Sequence, residues 1–236
     1  LDNGSCYFRD SVLEFFPERW QWGNFIDTFR AAPFATYFFN SLVTACAVTA
    51  TVALTSLTAG YAFARLDFPG RTAVFGVVLA TMMVPFEVTL IPNFVLIRKL
   101  GWYNSYAALI VPWAANAFSI FLMRQAFLGL PPDYYDAAKV DGCGHLRFLA
   151  RIAAPLVKPA MVTVALFAFL GSYNSLIWPL VVTSEDRMRV VQVGLTVFSG
   201  AEGVRLHLLM CASTIVILPT VALYFAAQKY FLESSL

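Results

Sequence analysis

The chain has 236 residues, of which 59% are hydrophobic and 13% charged, and a formal net charge of +2. Its mean hydropathy is +0.69. A soluble domain carries about 25% charged residues, so this chain lacks the polar surface to coat a water-soluble globule and lipid is its natural solvent. The small, scattered positive charge gives no stripe for nucleic acid.

Residues 1–35 mix acids, arginines, prolines and aromatics, including Trp20 and Trp22. They read as a segment lying on the bilayer surface, where such rings settle, and no signal peptide is evident there.

Five apolar stretches then follow, near 36–64, 72–97, 105–128, 156–182 and 205–230. Each reaches the ~20 apolar residues that a spanning helix needs. None shows the alternating pattern of a barrel strand. The fold class expected is an all-α membrane protein. Residues 36–236 form the transmembrane domain, a bundle of five spans in this chain.

The first stretch is rich in small residues, among them Ser41, Thr44, Ala45, Ser56 and Gly60. Close helix packing in lipid needs such residues, so this span is expected at the centre. In the second stretch Pro85 and Pro92 flank Glu87, the one acid placed inside a span, and could kink it. Glu87, with Asn93, Asn116 and Asn174, is a candidate lining for a polar solute path. Cys46 and Cys211 sit in apolar runs and are expected to pack as buried small hydrophobes. No cysteine pair, including Cys6 and Cys143, has redox or zinc spacing, and no metal or cofactor is implied.

Residues 129–155 read GLPPDYYDAAKVDGCGHLRFLARIAAP. Pro131 and Pro132 suit a helix start, and Asp133 and Asp136 would lie where the helix dipole favours acids. Ala137 and Ala138 are small enough for another protein to approach closely. Gly142 can end the helix at positive φ. A second short helix, from about Gly144 to Ala153, would bring Leu146, Leu149 and Ile152 together. Two short helices at an angle, projecting from the membrane, are therefore expected.

This stretch resembles the cytoplasmic EAA loop of ABC importer permeases, with Ala137, Ala138, Asp141, Gly142 and Pro155 on its characteristic places. Lys139 lies between them. Asp136 stands where that family usually has Glu, and Cys143 where it commonly has Ala.

Other segments agree in order. YAFARLDFPGR (61–71) looks like the AYxxARxxFxGR segment of sugar permeases, and GSYNSLIWPLVV (171–182) resembles WNxxxWPL, with Tyr173 for the usual Trp. Residues 82–112, 121–142, 192–198 and 218–231, and the NSL at 40–42, also fit. The resemblance runs from about residue 17 onward, to the sugar-importer permeases typified by the smaller maltose-type permease. Those usually have six spans and a glycine-rich basic tail; here five spans are read and the chain stops at FLESSL.

The arginines and lysines do not orient the bundle. Arg65, Arg71, Arg124, Lys139, Arg147, Arg151, Lys158 and Lys229 fall on one side. Arg9, Arg19, Arg30, Arg98, Lys99, Arg187, Arg189 and Arg205 fall on the other, a tie of eight each. The resemblance places the 129–155 loop, residues 65–71 and the C-terminus in the cytoplasm of a bacterium or archaeon.

It also implies partners: a second permease forming a heterodimer, two ATP-binding subunits, an external solute-binding protein and a sugar substrate. No G-x-x-x-x-G-K-[ST] phosphate cradle occurs, so ATP hydrolysis is expected on a separate subunit, with no enzymatic role here. Asp136, Ala137, Ala138, Lys139, Asp141, Gly142 and Pro155 would form the coupling site. The alternatives are an importer permease for a non-sugar solute (glycerol phosphate, phosphate, peptide) and an ion-coupled secondary transporter. A membrane-embedded enzyme would need a nucleophile with a base or a metal-ligand set, and none is seen.

Overall fold

The structure, a computed structural model, describes residues 21–199 and 205–233. The first 20 residues of the expected surface segment, Cys6, residues 200–204 and the end of the tail lie outside the described residues. Among those described, the regular structure is entirely helical.

A short helix α1 (Gly23–Ala31) leads through Pro33 into α2 (Phe34–Arg65), a single helix of 32 residues. At 1.5 Å per residue it is about 48 Å long, longer than the ~30 Å hydrocarbon layer. Its buried positions include Phe34, Tyr37, Ser41, Thr44, Val48, Val52, Ser56, Gly60 and Phe63. Steps of three and four residues put them on one stripe, and that stripe packs against two further helices, α6 (Ala117–Leu128) and α10 (Lys158–Tyr173). The expectation that the small-residue span is central therefore holds. At Gly60 α2 and α6 come close together: an added Cβ would lie 2.7 Å from Met123 Cβ and 3.0 Å from the Arg124 backbone nitrogen.

The second apolar stretch is not one kinked span. It divides into α3 (Arg71–Ala80), continued by a 3-10 turn at Thr81–Met83, and α4 (Phe86–Lys99), and the two arms meet at 99°. Val84 is driven to an extended conformation (φ −86°, ψ 113°), as a residue before proline prefers. Pro85, with no N–H to donate, restarts the chain. Pro92 lies inside α4 without breaking it.

The third stretch bends by 43° between α5 (Tyr106–Ile110), with its 3-10 turn Val111–Trp113, and α6 (Ala117–Leu128). Asn116 caps α6, its side-chain oxygen accepting from Ser119 N at 2.9 Å.

Beyond α6 come α7 (Asp133–Val140), α8 (His145–Phe148), a π-turn at Leu149–Ala153 and α9 (Ala154–Leu156). The chain then turns 83° into α10 (Lys158–Tyr173). The missing N–H of Pro159 accounts for the break, because it would have bonded the carbonyl four residues back. The expected span 156–182 stops at Tyr173, and Ile177–Val182 forms a separate short helix, α11. A 3-10 turn at Asp186–Met188, helix α12 (Val191–Thr196) and a 3-10 turn at Val197–Ser199 follow. The last helix, α13 (Leu206–Glu233), runs through Pro219.

Among the described residues two helices are long and apolar enough to cross a membrane, or up to five spans if each bent pair counts as one. Large apolar side chains stay on the outside, among them Met83, Val88, Ile91 and Met210, a surface suited to lipid or a partner chain rather than water. Cys46 is on that outer surface, contrary to the buried packing expected of it. An apolar run in lipid gives no signal for which face turns inward. Cys211 is half-buried on α13.

The two ends of the bundle are distinct. At one, Arg65 donates to the carbonyls of Phe127 (3.0 Å) and Leu130 (2.5 Å), tying α2 to the C-terminal end of α6 and the residues just beyond it. At the other, Asn40 holds the 187–189 backbone and Trp178 Nε1 donates to Ala108 O at 2.9 Å.

Candidate functional site

Two regions carry chemistry. The first is the α7–α9 knuckle. Helix α7 starts after Pro132 and has Asp133 and Asp136 in its first turn and Lys139 in its last. Gly142 has φ +72°. Its N–H donates to Lys139 O (3.0 Å), and Cys143 N donates to Ala138 O (2.9 Å). That paired pattern is a Schellman stop, so Gly142 ends α7 as its sequence position requires.

The knuckle is fixed to the bundle from beneath. Ala138 is 5% exposed and belongs to the core cluster containing Tyr61, Phe127, Phe148, Leu149 and Ala153. The two alanines therefore have opposite roles: Ala138 faces the protein, and Ala137 is exposed. Tyr135 stacks on His145 with centroids 5.4 Å apart and meets Phe148 edge-on at 5.2 Å. Leu146 does not join Leu149 and Ile152, being 81% exposed. The inward face of this segment is instead formed by Phe148, Leu149 and Ala153.

Asp136, Ala137, Lys139, Asp141, Gly142 and Pro155 are all exposed. Asp133, Asp136, Asp141 and Lys139 take part in no ion pair among the described residues. Charged groups without internal partners, on a rigid helix, are available to another chain.

The second region is a cavity of about 310 Å³ between α2, α6, α10 and α11. Its polar lining is Ser41, Thr44, Asn116, Ser119, Ser172 and Ser175; Trp113, Phe118, Phe167 and Trp178 supply aromatic walls. Of the four sequence candidates for a solute path, only Asn116 is brought here. Glu87 is exposed in the first turn of α4, Asn93 is half-buried in the same helix, and Asn174 accepts from Gln192 Nε2 at 3.3 Å. The serines and Thr44 were missed because such residues on spanning helices usually bond their own backbone, so their type alone carries no signal. The spacing of Ser41, Thr44, Val48 and Val52 on one face was the clue available.

Among the described residues no group of His, Cys, Asp and Glu could hold a metal ion.

The comparisons with known proteins agree on one class. The family model described as binding-protein-dependent transport system inner membrane component matches residues 53–233. The arabinooligosaccharides transport system permease protein of Bacillus subtilis (strain 168) is 37% identical over 197 residues, 84% of this chain and 70% of the relative. The sn-glycerol-3-phosphate transport system permease protein of Yersinia enterocolitica is 32% identical over 206 residues, 86% of this chain and 73% of the relative. Among solved structures, a chain of a bacterial ABC transporter involved in the import of the acidic polysaccharide alginate superposes with a TM-score of 0.83. It is 23% identical, with 92% of this chain and 81% of that chain covered. A chain of the inward-facing methionine ABC transporter superposes at 0.62 with 14% identity, covering 81% of this chain and 91% of that chain.

Proposed function

Since the chain belongs to the family of binding-protein-dependent transport system inner membrane components, we propose that it is a multi-pass permease subunit of an ATP-driven importer. It would act in the bacterial cytoplasmic membrane and move a sugar or a related polyol. The observation that carries this is the knuckle Asp133–Pro155, which presents unpaired carboxylates and a lysine on a helix closed by Gly142 and pinned to α2 and α6 from below.

In this reading the knuckle inserts in a groove on one of two separate ATP-binding subunits, a helix-in-groove contact. Asp136, Ala137, Asp141 and Gly142 touch the ATPase, while Ala138 and Tyr135 pass its movement to the bundle. Closing of the ATPase pair tilts packed helices and switches access from one side to the other. A second permease completes the pore, with the exposed apolar side of α3 and α4 as its seat, and an external binding protein delivers the solute. The carbohydrate assignment draws on the named relatives, one of them a permease for arabinooligosaccharides. A phosphorylated polyol is the second reading, favoured by the glycerol-3-phosphate relatives.

The test is disulfide cross-linking of Ala137→Cys to single cysteines on the ATPase in the assembled complex, with uptake measured in parallel. A cross-link that forms and stops uptake supports the lever. Full uptake with the cross-link in place removes it.

A further inference from the structure

Resting on the importer reading, we propose that the cavity between α2, α6, α10 and α11 is a solute-holding site belonging to this subunit, and that it takes one uncharged, hydroxyl-rich ring.

The first argument is an orphan group. Thr44 lines the cavity, is 5% exposed, and its Oγ1 has no hydrogen-bond partner. The next threonines along α2 all bond back to their own helix: Thr49 to Ala45 O, Thr51 to Ala47 O, Thr55 to Thr51 O and Thr58 to Leu54 O, at 2.7 to 3.0 Å. Leaving a buried hydroxyl unpaired is unfavourable. A partner entering the cavity removes that cost.

The second argument is the composition of the wall. Ser41 Oγ accepts from Val191 N (2.8 Å), and Asn116 Oδ1 accepts from Ser119 N (2.9 Å). Those oxygens are fixed by the fold. No hydrogen bond of the described residues uses the hydroxyls of Ser172 and Ser175. Together with Thr44 they give three hydroxyls with capacity left over. Trp113 adds a half-buried aromatic wall. A sugar ring presents apolar C–H faces and a rim of hydroxyls, and small-molecule sites combine apolar walls with a few placed polar groups. A volume of about 310 Å³ is at the low end of the ~300–1,000 Å³ of such sites, which suits a single ring.

The third argument is charge. No Lys, Arg, His, Asp or Glu lines the cavity. An ionised phosphate inside it would lose water with no cation to replace it, which is strongly unfavourable. The site therefore selects against a phosphorylated solute, the second reading of the function, and for a neutral one.

The test uses the importer expressed whole, this chain with its partner permease, ATPase and binding protein. Cells are offered arabinan-derived oligosaccharides, maltodextrins and sn-glycerol 3-phosphate, and accumulated compounds are identified by mass spectrometry. The expected result is uptake of a neutral saccharide; accumulation of the phosphate ester overturns the proposal. No uptake of any probe counts against the saccharide and polyol reading of the function, whereas accumulation of the phosphate ester alone counts against the proposal and leaves that reading standing. Thr44→Val, which keeps the side chain's shape, is then compared at matched amounts of assembled complex. Its KM for the accumulated saccharide should rise at least fivefold, and Thr44→Ser should restore it. Should Thr44→Val fail to assemble, Ser172→Ala is read the same way. An unchanged KM in the assembled variant means that the cavity holds only water or lipid, and the proposal falls.

Discussion

Tyr61 on α2 and His145 on α8 lie 84 positions apart, yet the tyrosine hydroxyl is 3.0 Å from Nδ1 of the imidazole. The hydroxyl of Tyr135, on α7, is 3.1 Å from Nε2. The Tyr135 hydroxyl is also 3.4 Å from Nδ1 and its ring stacks on the imidazole, while the Tyr61 ring meets it edge-on, so the two tyrosines grip the histidine from its face and its edge. His145 thereby joins α7 to the central span.

Tyr61→Phe keeps the ring contacts to Phe127 (5.6 Å) and Phe148 (6.2 Å) and deletes the hydrogen bond, a loss of about 1 kcal/mol. The knuckle then follows α2 less tightly. The expected outcome is more ATP hydrolysed per solute moved. Parallel assays of hydrolysis and uptake in proteoliposomes measure the ratio, and a wild-type ratio means the link transmits nothing.

Gly142 separates backbone from side-chain effects. An added Cβ would meet nothing within 4 Å, but φ is +72°. The left-handed region costs a side-chain-bearing residue roughly 1–2 kcal/mol, Asn and Asp least. Gly142→Val should loosen the stop of α7 and uncouple hydrolysis from uptake, with Gly142→Asn falling between it and wild type. Equal damage from both variants would point to the docking surface rather than to the turn.

Gly60 tests the packing that holds α2 to α6. Its virtual Cβ clashes with Met123 Cβ at 2.7 Å, and helix association in lipid relies on such close contact. Overpacking of this kind typically costs about 1–3 kcal/mol. Gly60→Ala should lower the detergent-solubilised melting temperature, while Gly76→Ala, with nothing within 4 Å of its Cβ, should leave it unchanged or slightly raised. A Gly60→Ala protein as stable as wild type would show that the two helices can part freely.

These sites differ in how far the sequence exposes them. The central position of α2 was legible because small residues recur along it, and the α7 stop because glycine at a helix end has few other uses. The 99° corner before Pro85 was not legible: a proline marks a break, while the angle depends on what each arm packs against. Leu146 was misplaced because helical spacing groups residues on a face without saying which face turns inward. Asn116 could be nominated as an amide in an apolar run, whereas Thr44 became visible only when its hydroxyl was found without the backbone bond its neighbours make.

The opposite end of the bundle has its own fastening. Asn40, 2% exposed, donates from Nδ2 to the carbonyls of Arg187 and Arg189, both at 2.9 Å, and accepts from the Tyr106 hydroxyl at 2.5 Å. Tyr37 adds a hydrogen bond to Asp186 at 2.9 Å. Through these bonds α2 holds the loop that follows α11. Asn40→Ala removes three hydrogen bonds and leaves two carbonyls short of a donor, at about 1–3 kcal/mol for each such group that stays buried. Asn40→Asp is expected to be worse, because a carboxylate cannot donate and would face two carbonyl oxygens. Arg187 is already exposed, so a loosened loop should be cut there by trypsin faster in both variants, and fastest in Asn40→Asp. Cleavage at the wild-type rate in both would mean that Asn40 is not what holds the loop down.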